Sequence, residues 1–427
     1  MKMSRRRLSE GLLKNKPPET VISDLPTTAG RPADEPPAAD PNTAWEDRVR
    51  QISRRQRASY FGTPAGFLII LGGIFGVWLG TSFFSPSSRL FDFYSEAPTL
   101  LIALGVAVCM ISHSFDLSVA NVATLVTVLS IGLRVNQHWP FPLVLFVCLG
   151  IGIGAGLLNG IVVARFHINP FIATLGTGGA FTGLADVYSK DAPVSAQAGG
   201  TQLPSWFSGL HGVGSFLEKV PWYGDWIVAV VLGLFALGVV RSKSEDYSPR
   251  RKMVYVAGVV VATAGLGVLL MDRASWLVII VLLVALVIWI VLRFTVFGRN
   301  LAAIGGNTTA ARYAGISVQR HVIGAFVVAG LLAAFAGIAL AASQGSAEPG
   351  IADASLLPAY AAVFLSTVLF SPGRFHIWGT VLGGLLVTWT GQGLVQGGLN
   401  FTWQPVVNGV LLVVAVGVST ILRRAED

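Results

Sequence analysis

Between Arg273 and Ala347 the chain carries not one aspartate or glutamate. Charge is scarce throughout, at 12% of 427 residues against 53% hydrophobic, too little to clothe a soluble globule. Only two cysteines occur, Cys109 and Cys148, both inside apolar runs, so neither a disulfide framework nor a metal site is supported. No G-x-x-x-x-G-K-[ST] segment is present, which excludes nucleotide hydrolysis at a P-loop in this chain. The apolar runs also lack the clustered Asp, Glu, Lys and His of a proton relay or ion-coupled site. No reactive constellation marks an intramembrane enzyme, so the catalytic set is expected to be empty.

What the chain does have is apolar runs of the length that spans a bilayer, about 20 residues each. The 49 glycines suit helices packed closely in lipid. The net charge of +8 could suggest nucleic acid, but the basic residues lie between hydrophobic segments and read as topology signals. The expected fold is an all-α polytopic membrane protein of about twelve transmembrane helices. The spans read as Pro64–Phe84, Pro98–Ile111, Leu117–Leu133, Phe141–Ala164, Asn169–Val187, Trp226–Val240, Met253–Met271, Trp276–Leu292, Val322–Ala342, Leu356–Phe370, Ile377–Val395 and Pro405–Leu422. Residues 1–57, basic and rich in proline, are expected to be a disordered cytoplasmic tail, and residues 58–427 the membrane domain. Residues 188–224, with Trp206, Trp222 and Tyr223, should form an extracytoplasmic loop. An even number of crossings, with the basic loops in agreement, is expected to place both termini in the cytoplasm.

The stretch Phe297–Gln319, FGRNLAAIGGNTTAARYAGISVQ, is a polar insert between two strongly hydrophobic segments, with Arg293, Arg299, Arg312 and Arg320 around it. Short loops rich in Lys and Arg stay in the cytoplasm. Asn307 or Thr308 should cap a short helix through Ala310, Ala311, Arg312, Tyr313 and Ala314, stopped at Gly315. Gly305-Gly306 should separate it from a preceding turn, Asn300–Ile304. A loop that only connects has no need of two short helices of small residues.

Polar residues also occur at membrane depth. Asp116 in HSFDLSVAN lies between two short apolar segments, either lining a solute path at a broken helix or capping the next span through the amides of Ser118 and Val119. Ser118 and Asn121 share that stretch, and His113 is ambiguous in the same way. The glycines 150, 152, 154, 156 and 160 overlap in small-xxx-small spacings that read as close helix packing, with Asn159 as interhelical glue or as a residue of the solute path. In INPFIATLGTGGAFTG, Pro170 suits a helix start. Phe171 and the hydroxyls of Thr174, Thr177 and Thr182 could face an uncharged solute, or the threonines could bond back to their own helix. Gln392, Gln396 and Asn400 are amides that could bind hydroxyls or line an outer rim.

GRNLAAIGGNTTAARYAGI resembles the cytoplasmic loop of the bacterial ABC-type monosaccharide permeases, the ribose/xylose/galactose class. FDLSVAN resembles the helix-break signature of that class, and LLNGIVVARFHINPFIATLGT its LNG…PPFI-x-TLGT segment. PGRFHIWGTVLGGLLV is similar to the late Gly-rich segment. The likeness extends from about Pro98 to Leu422. It implies a core of about ten helices with spans six and seven (226–271) as an extra pair. It also implies a non-enzymatic subunit that pairs with a second permease copy, takes a pentose or hexose from an extracytoplasmic sugar-binding protein, and couples to a cytoplasmic ABC ATPase. ATP and Mg would sit on that ATPase, so no cofactor or metal is expected in this chain, and no nucleic acid; membrane lipid is its surroundings. In the loop, the matching positions are Gly298, Arg299, Gly305, Gly306, Asn307, Ala310, Ala311, Arg312, Gly315 and Ile316. The chain departs from the usual pattern in places: Ala120 stands where glycine is usual, Thr309 where glutamate is frequent, and FLSTVLFSPGRF where a Gly-Gly-rich stretch is usual. Related importers of nucleosides or branched-chain amino acids, and stand-alone channels or carriers, are the alternatives.

Overall fold

A computed structural model of the chain describes residues 93–195, 203–208, 276–369 and 374–424. The expected tail, the first span, the extra pair at 226–271 and most of the loop 188–224 lie outside the described residues. Within them the chain is helical: α1 (Ala97–Ile111), α2 (Val119–Val135), α3 (Phe141–Ala164), α4 (Pro170–Ser189), the short α5 (Ser205–Ser208), α6 (Trp276–Phe294), α7 (Val296–Gly306), α8 (Thr308–Tyr313), α9 (Val318–Gln344), α10 (Leu356–Leu369), α11 (Ile377–Gln396) and α12 (Gln404–Arg424). By length and composition, α3, α6 and α9 can each cross a membrane. α1 has 15 residues and reaches about 22 Å at 1.5 Å per residue, short of a hydrocarbon core of about 30 Å. The span boundaries read from the sequence fall within a few residues of these helices.

Among α3, α6 and α9, α9 is the most buried, with 61% of its most apolar stretch buried against 33% for α3 and 28% for α6. Its buried residues are mostly small, Ala325, Ala329, Gly330, Ala333, Ala334, Ala336 and Gly337 among them, with Val322, Phe326, Leu332 and Leu340 as the large exceptions. Such a helix gains little from the bulk of its side chains and must gain from proximity. α3 meets it at intervals of one helical turn. A Cβ at Gly152 would collide with the carbonyl of Gly330, one at Gly156 with the carbonyl of Phe326, and one at Gly160 would lie 2.8 Å from Cα of Ile323. Gly150 and Gly154, on another face, meet nothing within 4 Å. The packing stripe is therefore 152/156/160, and the alternate glycines of the run take no part in it.

At one end, a two-residue strand after α4, β1 (Val194–Ser195), pairs antiparallel with β2 (Ser346–Ala347) after α9, with Val194 opposite Ala347. A 3₁₀ turn, Asp353–Ser355, then leads into α10. This short ladder holds the Asp353 turn over α2, where the Ala352 N–H donates to Thr124 Oγ1 at 3.2 Å.

Candidate functional site

Two polar interruptions of the apolar bundle carry the chemistry. The first is the break between α1 and α2. α1 closes as the N–H of Ser114 donates to the Cys109 carbonyl at 3.1 Å and that of His113 to Met110 at 3.0 Å. His113 adopts the left-handed conformation, φ 55°, needed to turn the chain there. Beyond it the backbone runs without helical bonds to Ser118, so its amides need partners from elsewhere. The Asp116 N–H donates to the Tyr360 hydroxyl at 3.1 Å, and the Leu117 N–H to Thr174 Oγ1 at 3.0 Å. Asp116 Oδ1 accepts both the N–H of Ser118 at 3.0 Å and its Oγ–H at 2.7 Å. Asn159 Nδ2 donates to Ser118 Oγ at 2.7 Å, and Thr177 Oγ1 donates to Asn159 Oδ1 at 2.7 Å. Asp116, Ser118 and Asn159 are each 1% exposed and Thr174 is 0% exposed, so this chain of bonds replaces water for all of them.

The sequence expectation of Asp116 as the cap of α2, using the amides of Ser118 and Val119, is corrected in detail. Ser118 occupies the cap position, and Asp116 holds Ser118 by its amide and its hydroxyl. Asn159, glue or path residue on the sequence, hydrogen-bonds across helices and joins the break to α4 through α3.

A second group, half-buried at Asn121 and Thr182 and exposed at Asp353, continues from the first. Asn121 Nδ2 donates to Thr182 Oγ1 at 2.9 Å and lies 3.4 Å from Asp353 Oδ1. Gly178 leaves room for it: a Cβ there would stand 2.6 Å from Asn121 Oδ1. Burial, and then the neighbouring Asp186 carboxylate, push the Asp353 carboxyl above its ordinary range. Tyr360, Asp186 and Asp353 were not anticipated. A lone tyrosine in an otherwise apolar segment was the available signal for Tyr360, whereas nothing local marks Asp353.

The remaining path candidates stand apart. Phe171 is 52% exposed on α4, where its N–H donates to the cap residue Asn169. Gln392 is half-buried and Gln396 exposed near the end of α11, and Asn400 caps the following 3₁₀ turn through the Thr402 N–H at 3.0 Å. None of these hydrogen-bonds to the Asp116 group among the described residues.

The second interruption is the hairpin α7–α8. Thr295 caps α7 by accepting from the Gly298 N–H, and Asn307 caps α8 by accepting from the Ala310 N–H at 2.9 Å. The expected turn Asn300–Ile304 is part of a longer helix, 11 residues, and Gly305-Gly306 form its last turn. α8 ends on Gly315, φ +78°, where the Ile316 N–H returns to the Ala311 carbonyl at 3.0 Å. A left-handed residue closing a helix with this bond is what glycine permits at little cost.

Gly298 and Gly305 serve close approach. A Cβ at Gly298 would strike the Leu292 backbone, and one at Gly305 the Ile111 carbonyl. Leu301, Ile304 and Ala311 are buried, while Arg299, Gly306, Asn307, Thr309, Ala310, Arg312 and Gly315 are exposed, with Ile316 half-buried. Tyr313, absent from the sequence-derived set, is 89% exposed beside Arg312. Neither side chain makes a hydrogen bond among the described residues.

A bundle built on a small-residue interior helix, with a pinned polar break and a projecting basic hairpin, defines a multi-pass α-helical membrane protein. The chain belongs to the family described as branched-chain amino acid transport system / permease component, which it matches over residues 88–416. It is similar to the galactose/methyl galactoside import permease protein of Haemophilus influenzae, 28% identical over 334 residues, covering 75% of this chain and 83% of that one. It is also similar to the fructose import permease protein of Rhizobium meliloti, at 27% over 378 residues, 88% and 89% of the two chains. The xylose transport system permease protein of Escherichia coli is 29% identical over 336 residues, 77% and 83% of the two chains. No solved structure matches.

Proposed function

We propose that this chain is the membrane permease subunit of an ATP-driven importer for a monosaccharide of the pentose or hexose class. The observation that carries the reading is the α7–α8 hairpin. It is a capped, internally braced element whose Arg312 and Tyr313 project with no partner in the chain's described residues. Rigid elements that present unpaired aromatic and arginine side chains suit a protein partner. In this reading the partner is a cytoplasmic ATPase, which supplies the energy for which the chain has no P-loop of its own.

The solute class follows from family membership, from the sugars named for its relatives, and from the chemistry around the break. A hydroxyl-rich, uncharged solute suits the half-buried amide and hydroxyls of Asn121, Thr177 and Thr182, with Asp353 as a strong acceptor beside them. The fully buried Asp116, Ser118, Asn159 and Thr174 hold the frame and do not touch solute. The family description names branched-chain amino acids, but a zwitterion would need a cation for its carboxylate. No Lys or Arg hydrogen-bonds to this group among the described residues, which favours the sugar. An extracytoplasmic binding protein delivers the solute, and a second copy of the chain completes the passage. ATP binding then rocks the paired subunits between outward-open and inward-open forms, and the weakly binding lining releases what it receives.

The test is reconstitution with ATPase and binding protein, followed by ATP hydrolysis across a panel of pentoses, hexoses and leucine. Stimulation by one sugar and not by leucine supports the reading. Stimulation by leucine alone overturns the solute class, and absence of stimulation by any solute overturns the importer.

A further inference from the structure

The end of α7 sits on bare backbone. Gly305 lies so close to the Ile111 carbonyl that no side chain fits between them, and its missing Cβ would also stand 3.6 Å from His113 Nδ1. Ile111 is the last residue of α1, and the non-helical segment that follows is the one pinned at Asp116, Leu117 and Ser118. His113 itself packs edge-on against Phe375, centroids 6.5 Å apart, and Phe375 against Phe364 of α10 at 5.9 Å.

On its other flank α7 is clamped. Gly298 abuts the backbone of Leu292 on α6. Phe297 stacks on His321 of α9 at 5.8 Å, and Asn300 Nδ2 lies 3.1 Å from His321 Nε2. A helix held this way moves with its neighbours as a body. Where it presses on a carbonyl rather than on a side chain, no rotamer is available to absorb the displacement.

We infer that the Gly305–Ile111 contact is the positioning contact through which displacement of the hairpin reaches the polar break. The inference rests on the importer reading and adds the route by which the ATPase's motion arrives at the solute-facing residues. Gly305 is a positioning residue here: it touches neither solute nor nucleotide. Gly154 of α3, outside the hairpin, supplies an internal control, since a Cβ there meets nothing within 4 Å.

The test uses the complete transporter in proteoliposomes, with sugar uptake and ATP hydrolysis measured on the same preparation. Gly305→Ala should keep the ATPase bound and its stimulation by binding protein, while sugar moved per ATP falls about tenfold. Gly154→Ala should leave the ratio unchanged. A purely structural role for Gly305 would lower uptake and hydrolysis together and leave that ratio intact, which overturns the inference. Because Gly305→Ala could misfold, a second measurement keeps the native hairpin. Phe115, 37% exposed in the break and stacked on Tyr360, is replaced by cysteine, and reaction of the introduced thiol with a maleimide is timed with and without a non-hydrolysable ATP analogue. A several-fold change in rate on nucleotide binding is expected; an unchanged rate overturns the inference. Failure of the unmodified transporter to show stimulated hydrolysis would instead remove the importer reading itself.

Discussion

The break at Asp116 and the hairpin at Asn307 are both polar interruptions of apolar sequence, yet the chain treats them oppositely. In the break every named polar group finds its partner inside the molecule, and Asp116, Ser118 and Asn159 are all 1% exposed. In the hairpin both helices are capped at their N-termini, while the side chains of Arg312 and Tyr313 are exposed and make no hydrogen bond among the described residues. The difference separates two tasks that polarity alone does not distinguish. Saturated polar groups fix a backbone shape against the loss of water, and unsaturated ones on a braced element await another molecule.

The contrast breaks most visibly at the hairpin. Arg312→Glu combined with Tyr313→Ala should cut co-purification of the ATPase and its stimulated hydrolysis by about tenfold or more, with the thermal midpoint of the purified permease unchanged. If the midpoint falls and the ATPase still binds, the hairpin face is structural. The reverse pattern is expected in the break. Asn159→Leu removes the buried amide that donates to the Ser118 hydroxyl and accepts from the Thr177 hydroxyl, a loss of about 1–3 kcal/mol read as a lowered midpoint in detergent, with ATPase binding retained. An Asn159→Leu protein as stable as the parent would show the chain of bonds to be ornamental.

Smaller effects sharpen the picture. Gly315→Ala imposes a left-handed residue on a side chain, about 1–2 kcal/mol confined to the hairpin, and should appear as faster proteolysis of the loop more than as global unfolding. Smallest is the pH dependence at Asp353. Its carboxyl is held above the ordinary aspartate range, so the folded chain binds that proton more tightly than the unfolded chain does. Stability should therefore decline as pH rises from the ordinary aspartate range through the raised value, and Asp353→Asn should flatten that decline in a midpoint-against-pH series.

Local signals carried the hairpin well. Asn307 as a cap and Gly315 as a stop follow from residue type and position, and the structure has both. The length of α7 did not follow, because Gly305-Gly306 was read as a helix breaker. Gly305 is tolerated within the helix because Ile111 leaves no room for anything larger. The glycine run of α3 was legible as packing, but its register was not: choosing 152/156/160 over 150/154 requires knowing that Gly330, Phe326 and Ile323 of α9 lie opposite. The break was found from DLS alone, while its partner Tyr360 lies 244 residues away and the Asp353 contact spans 232. Pairings at that separation are set by topology and leave no trace in the neighbouring sequence.

The most direct measurement is uptake of a labelled monosaccharide into liposomes holding this permease, its ATPase and its binding protein. The account predicts accumulation only when ATP is supplied to the ATPase side and all three components are present. Equal uptake by the permease alone, without ATP, would contradict it.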